Sequence, residues 1–321
     1  MDTHVHTEYS GIARLGALKF PESVTTPEQH VDRARKNGMD VLCITDHDEV
    51  IGAFKAQEYA KRFDDIEVVI GEEVTTADGE IIGLFLNEKI PDGLSVEETV
   101  DIIRSQGGIT IAPHPFSFHV DGLQEKIFSL DIDGFEVING GHVDNYSNAF
   151  AQAVMDRYPG RWAPISGSDA HSVHTTGFNW TEFEGNTAED FRRAVLNKTT
   201  IPVGVPAPVF NELKWSMEVV WGGQHMMYRS IIHRLPADDE KPLVKKINSL
   251  TKLKKATGIV AGVFYVIPPV SFIATWLSTS FLKKNAKKMN RSKQERLANV
   301  ERLMIEAPAD TGTGDTANLS I

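Results

Sequence analysis

The chain has 321 residues, a net charge of −11 at neutral pH and a single cysteine, Cys43. That length holds one large α/β domain plus an appendage, and a lone cysteine excludes an intrachain disulfide framework and fits a reducing compartment. Residues 1–210 carry 34 acidic and 16 basic side chains while residues 211–321 carry 10 and 17, so the acidic first part argues against strong polynucleotide binding and the basic second part calls for a different partner.

The first residues read Asp2-Thr3-His4-Val5-His6. Side chains two apart on a β-strand share a face, so His4 and His6 can reach one metal ion together. Neither a basic n-region nor an apolar h-region precedes His4, which sets the expectation of a cytoplasmic domain without a signal peptide. Thr26-Pro27-Glu28-Gln29 is a capping box with proline at the first helical position; its helix should stop at Asn37-Gly38, ahead of a strand over 40–45. The segments 67–75 and 80–86 flank Ala77-Asp78-Gly79, a hairpin signal. Ser95-Val96-Glu97-Glu98 opens a second capped helix, ending at Gly107-Gly108 before a strand over 109–112, and Thr187-Ala188-Glu189-Asp190 opens a third. Alternation of this kind predicts a mostly parallel sheet, open or closed into a barrel, over residues 1–205.

Polar residues fall where strands give way to loops. Asp46-His47, His114 and Asp169-Ala170-His171 each follow an apolar run, the functional end of α/β barrels. One such histidine is ordinarily a core or capping side chain; their joint placement points to a shared site. In Gly71-Glu72-Glu73 the two glutamates point to opposite faces; Glu73 is taken as the carboxylate that enters the site and Glu72 as a surface charge. Mixed His, Asp and Glu ligation suits zinc, manganese or iron better than calcium or magnesium. Asp169 is a further oxygen ligand, and Asp2 and Asp46 are cast as acceptors that orient imidazoles from outside.

As an ordered set, "DTHVHT", "TDHD", "GEEVTT", "APHP" and "GSDAH" over residues 2–171 resemble the motifs of the PHP (polymerase and histidinol phosphatase) domain family. The resemblance implies a distorted (β/α)7 TIM-like barrel that hydrolyses phosphoesters with two or three divalent ions at the C-terminal ends of its strands. Carried over by position, His4, His6, Glu73 and Asp169 hold one ion, Glu73 bridges to a second bound by His114, and His47 with His171 bind a third. Glu73 holds the metal pair together, while His171 or His47 can supply a proton when not engaged as ligands. Two departures stand out. The acidic or histidine ligand that many members place shortly after HxH is absent, with Glu8 as its candidate replacement, and the second histidine of the middle ion has candidates in His142, Glu136 and Asn139. His119 and His174 are read as surface or outer residues, and Arg14 as a loop arginine or a phosphate contact. Amidohydrolase barrels open with the same HxH, but Asp169-x-His171 and "TDH" favour a phosphoesterase acting on a phosphorylated small molecule or nucleotide. The remaining rival is a metal-stabilised, non-catalytic membrane scaffold.

Past residue 205 the character changes. "VPAPVF" reads as a linker, and residues 206–255 form an amphipathic region whose tryptophan and methionine stripe is a packing face or a lipid contact. Residues 256–282 are uncharged between Lys252, Lys254 and Lys255 on one side and Lys283, Lys284, Lys287 and Lys288 on the other. As one helix these 27 residues extend about 40 Å, more than the ~30 Å core of a bilayer. The expectation is a membrane-tethered protein, through a span kinked at Pro268-Pro269 or a re-entrant hairpin, with lysines on anionic headgroups across 256–288. Residues 283–321 are a basic, then disordered tail.

Overall fold

The computed structural model describes residues 1–15, 18–205, 208–236 and 240–306. An antiparallel pair, β1 (Ile12–Leu15) and β2 (Leu18–Pro21), precedes α1 (Pro27–Lys36), β3 (Val41–Ile44) and α2 (Ile51–Ala60). Then follow β4 (Glu67–Thr75), β5 (Glu80–Leu84), α3 (Val96–Ser105), β6 (Ile109–Ala112), β7 (Gly134–Asn139), α4 (Ser147–Arg157) and β8 (Ala163–Gly167). A short pair, β9 (Trp180–Glu182) and β10 (Ile201–Val203), brackets α5 (Ala188–Asn197).

The main sheet has the order β3-β4-β5-β6-β7-β8. It is parallel at β3/β4, β6/β7 and β7/β8, and antiparallel where the β4–β5 hairpin is inserted. The expected turn forms, with Thr76 N–H donating to the Gly79 carbonyl at 3.0 Å and Gly79 at φ +138°. All four residues of β3 and of β6 are buried, as strands covered on both faces require. The architecture is α/β, a curled, parallel-rich half-barrel consistent with the TIM-like expectation. Residues 2–6 engage both edges of this curl: Asp2 bridges to Leu42 beside β3, and Val5 to Ala170 just past β8. The histidine arm therefore lies inside the molecule, with His4 and His6 fully buried.

All three capping boxes are present, on Thr26/Gln29, Ser95/Glu98 and Thr187/Asp190. The first two helices end beside glycines with positive φ, Gly38 and Gly107. Helix α2 escaped the sequence reading because Val50, its N-cap, offers no side-chain acceptor. Glu72 corrects another expectation: it is fully buried, accepts from the Ile90 N–H at 2.8 Å, and burial pushes its carboxyl up to about 8.

The C-terminal part is helical. Helix α6 (Val209–Ile231) packs on β2, then come α7 (Pro242–Ser249), α8 (Lys252–Val266), α9 (Val270–Arg291) and α10 (Lys293–Glu306). The stripe on α6 splits: Leu213 and Val219 are buried, and Trp215 donates to the Glu22 carbonyl at 2.8 Å, while Trp221 faces outward. Among the described residues no single helix is long and apolar enough to cross a membrane; α8 and α9 meet at 80° across Pro268-Pro269. A proline pair removes backbone donors and ends one helix before the next begins, so the uncharged run does not form one continuous span. Helix α10 returns to the half-barrel, where Arg296 reaches Glu125 at 2.7 Å and lies over the Phe150 ring, and Leu297 and Val300 join the core. The tail from Ala307 lies outside the described residues, as do the side chain of Arg14 and Pro206-Ala207 of the expected linker.

Ser95 accepts from the Glu98 N–H and opens α3 between two sheet strands. Ser95→Ala should lower unfolding stability by about 1 kcal/mol, read as an earlier midpoint in urea with an unchanged slope; an unaltered midpoint would show that the cap contributes nothing.

Candidate metal centre

The residues singled out in the sequence converge. Nε2 of His4 lies 3.1 Å from Glu73 Oε2 and 3.6 Å from Asp169 Oδ1, and Nε2 of His6 lies 3.2 Å and 3.4 Å from the same two oxygens. An ion with bonds of about 2.0–2.1 Å to four tetrahedral donors separates them by about 3.3 Å. The four nitrogen–oxygen separations here, 3.1–3.6 Å, fall around that edge length. Nε2 of His6 is buried and, though close to both carboxylates, makes no well-aligned hydrogen bond to either, a state that normally costs stability and that a cation would relieve. The donor set fits a divalent ion.

Glu73 faces two ways. Its Oε2 is turned to His4, His6 and His47, the last at 3.3 Å, while Oε1 accepts from Nε2–H of His114 at 3.0 Å. Beside His114 stands Glu80, 3.7 Å from its Nε2 and 3.6 Å from Nδ1 of His47. A third group gathers at the rim, where Glu22 Oε1 is 3.5 Å from His47 Nε2 and 3.8 Å from His171 Nε2. The His6 ring stacks on both His47 and His171, with centroids 4.7 Å and 4.2 Å apart.

Local structure explains the convergence. His47 sits one residue past an aspartate at the end of β3, His114 and Asp169 adopt positive φ just after β6 and β8, and Glu73 lies within β4 opposite Ile82. Each strand therefore delivers its ligand-type residue at the same end of the sheet.

Burial and charge pull the pKa values in opposite directions. Burial opposes the charge on His4, but Asp169, Glu73 and Glu136 override it and raise the imidazole well above its usual value. Burial likewise opposes the Glu73 and Asp169 carboxylates, and surrounding imidazoles, His4 foremost, hold both well below the usual range. Burial and then the neighbouring Glu73 lift Glu80 to about 7, and His47 and His171 bring Glu22 to about 2 against its burial. Such carboxylates without bound cations depend on protonated imidazoles for balance.

Asp2 and Asp46 do other work than expected. Asp2 accepts from Ser168 N–H and Oγ–H and from the Gly177 N–H, and Asp46 accepts from Thr7 N–H and Oγ–H; they pin backbone around the site and touch no imidazole ring. The imidazoles are oriented instead by Glu136 on Nδ1 of His4 at 3.0 Å, Ser10 on Nδ1 of His6 at 2.9 Å, and the Asp169 carbonyl on Nδ1 of His171 at 3.0 Å. Glu136 also accepts from the His114 N–H, so it braces the ligand-type residues rather than joining them. Asn139 donates to Glu136 and Asp169, and His142, its ring 5.8 Å from that of His114, groups with His119 and Asp144 instead. Glu8 pairs with Lys241 at 2.9 Å; the carboxylate facing His47 and His171 is Glu22. Reading the sequence near HxH missed Glu22 because it arrives by the β1–β2 excursion, and missed Glu80 because one glutamate opening a strand resembles a solvated charge. Glu136 had a visible signal, a carboxylate inside the apolar run "GFEVIN".

Two family models and several known proteins match the chain. The PHP domain model matches residues 2–89 and the PHP-associated model residues 145–200. The uncharacterized protein MJ1587 of Methanocaldococcus jannaschii is 50% identical over 150 residues, 47% of this chain and 87% of that protein. Two solved structures are similar at lower identity. PsfC from Pseudomonas syringae, at 18% identity and TM-score 0.47, covers 72% of this chain and 97% of its own. An inferred metal-dependent phosphoesterase from Bifidobacterium adolescentis, at 17% identity and TM-score 0.44, covers 64% of this chain and 96% of its own.

The back of the centre tolerates no added atom. A Cβ on Gly167 would lie 2.5 Å from Glu136 Oε1 and 2.6 Å from His4 Cβ. Gly167→Ala should weaken zinc or manganese binding roughly 10-fold or more by turning His4, as loss of an orienting partner does elsewhere; unchanged affinity in a metal titration would show that this brace is idle. With half of the matched residues identical to MJ1587 over most of that protein's length, and both family models matched around this cluster, the chain belongs to the PHP-domain family.

Proposed function

We propose that the chain is a metal-dependent phosphoesterase acting on a phosphorylated small molecule or nucleotide, with its catalytic unit in residues 1–205. The observation that carries this reading is Glu73, a buried carboxylate whose two oxygens serve two different sets of imidazoles. In it His4, His6, Glu73 and Asp169 would hold one divalent ion, Glu73, His114 and Glu80 a second, and His47, His171 and Glu22 a third; zinc, manganese and iron suit these donors. Bound ions would supply Lewis acidity toward phosphoryl oxygens and lower the pKa of a water molecule.

The chain's own residues do the rest. Glu73 fixes the spacing of the two inner ligand sets, and Glu136 keeps Nε2 of His4 turned inward. His47 and His171 are about one-fifth exposed while His4 and His6 are sealed, so substrate approaches from the His47/His171 side. These two rings are placed to pass a proton to the leaving oxygen when they are not engaged as ligands. The acidic balance of residues 1–210 disfavours long polynucleotides and leaves small phosphate esters as the substrate class. Release of phosphate from a broad ester panel should stop on chelation and return with manganese or zinc, and Glu73→Gln should lower kcat/KM more than roughly 100-fold, beyond what loss of an outer partner costs. Hydrolysis indifferent to chelators, or intact in Glu73→Gln, would overturn the reading.

We also propose that α8 and α9 tether this cytoplasmic domain to a membrane surface. Val260, Phe264, Ile267, Phe272, Trp276 and Phe281 along the elbow are 49–65% exposed, a concentration of large exposed apolar side chains of the kind that marks an interaction surface. On either side of the elbow, α6 packs on β2 and α10 on the half-barrel, which favours a re-entrant wedge over a span. Lys252, Lys254, Lys283, Lys284, Lys287 and Lys288 are exposed and suit anionic headgroups, whereas Lys255 is buried and donates to Ser230 Oγ at 2.9 Å. The full chain should float with phosphatidylserine vesicles and much less with phosphatidylcholine ones, its tail after Lys283 staying open to protease. A tail protected inside sealed vesicles would mean a span, and no flotation would remove the tether.

A further inference from the structure

A second cluster of metal-type donors lies outside the groups just described. Donor atoms of His119, His142 and Asp144 all fall within 4.8 Å of one another, on the loops that follow β6 and β7. Nε2 of His119 is 3.3 Å from Asp144 Oδ2, the edge length expected between two donors of one tetrahedral ion. The His119 and His142 rings stack at 4.6 Å and 27°, much as His6 stacks on His47 at 4.7 Å and 23°. His142 shares Nδ1 with Asn139 Oδ1 at 2.8 Å, which leaves Nε2, and that nitrogen is buried with no hydrogen-bond partner. The residue as a whole is 2% exposed.

Asp144 also has a structural duty, accepting from the Tyr146 and Ser147 N–H groups and from Ser147 Oγ–H at the start of α4. That duty explains the carboxylate but neither the two stacked imidazoles nor the orphaned nitrogen. An anion is disfavoured here, because the Asp144 carboxylate would face it directly. Two imidazole nitrogens beside one carboxylate suit a borderline transition-metal ion rather than calcium or magnesium. His119 carries the accessible edge, with a side chain 21% exposed against 0% for Asp144, so an ion could enter from solvent and keep a position open beyond its three protein ligands.

We propose that His119, His142 and Asp144 form a separate binding site for a zinc-type divalent cation, clipping the loop after β6 to the loop after β7. The site does not depend on the phosphoesterase reading. An ion there would fix the rim beside His114, whose ring lies 5.8 Å from His142, and would hold the first turn of α4 against the half-barrel.

The test is a difference in metal content. Metal-stripped full-length wild type, H119Q and H142Q are reloaded with zinc, then with cobalt, and bound ions per chain are counted by native mass spectrometry, with cobalt absorption recorded in the visible range. Both variants are expected to hold one ion fewer than wild type and to lose one component of the cobalt spectrum, while the remaining ions titrate as before. His119 is at the surface, so H119Q keeps the fold and the helix cap even if H142Q does not. Equal ion counts and superimposable cobalt spectra for wild type and H119Q would overturn the site. Because the readout is a difference, it stands apart from how many ions the Glu73 cluster binds.

Discussion

Everything at the centre depends on one buried carboxylate. Glu73 is 1% exposed and has imidazoles on both oxygens, His4, His6 and His47 on one and His114 on the other. A lone charged carboxylate in such a place would be costly, and in proteins it either neutralises or acquires cations. Here the cations available within the chain are protonated histidines, and divalent ions are the alternative that leaves the same imidazoles neutral and ligating. The β4–β5 hairpin exists in the middle of an otherwise parallel sheet to present Glu73 and Glu80 side by side with His114 and His47. The N-terminal arm is fixed between the two sheet edges for the same end, since His4 and His6 must arrive together from a segment with few anchors of its own.

Much of this was legible in the sequence because the signals are local. Capping boxes state where helices begin through side chains three residues apart, and the Asp-Gly pair states the hairpin. The alternation in Asp2–His6 and in Gly71–Glu73 says which side chains share a face. The ligand-type residues at strand ends were readable one by one, and their gathering followed from the fold expected for such strands. What stayed hidden is what depends on a path through space. Glu22 returns to the site just past β2 after a detour, and nothing near it in sequence marks it as facing His47 and His171. Glu72 reads as a surface charge because strand alternation gives its direction but not what covers it; a loop lies over it and supplies the Ile90 N–H. Asp2 and Asp46 were read as acceptors that orient imidazoles, yet their partners are backbone and hydroxyl donors, which spacing alone does not distinguish from imidazoles.

The C-terminal part shows the same division. Its long uncharged run and lysine borders were plain in the sequence, and Pro268-Pro269 marked the place of a kink. The angle between the two arms and the return of α10 to the half-barrel were not, because they rest on Arg296, Leu297 and Val300 finding Glu125, Phe150 and the core from far along the chain. Trp215 on α6, against Glu22 and edge-on to His171, joins this helical part to the rim of the centre, so the two parts of the chain form one packed unit.

The most direct test of the account is X-ray diffraction from crystals of the full chain grown with manganese or zinc, recorded on both sides of the metal's absorption edge. The account predicts anomalous peaks inside the cluster, one among His4, His6, Glu73 and Asp169 and another across Glu73 beside His114. Anomalous maps with no peak touching Glu73, in crystals soaked to saturation, would contradict it.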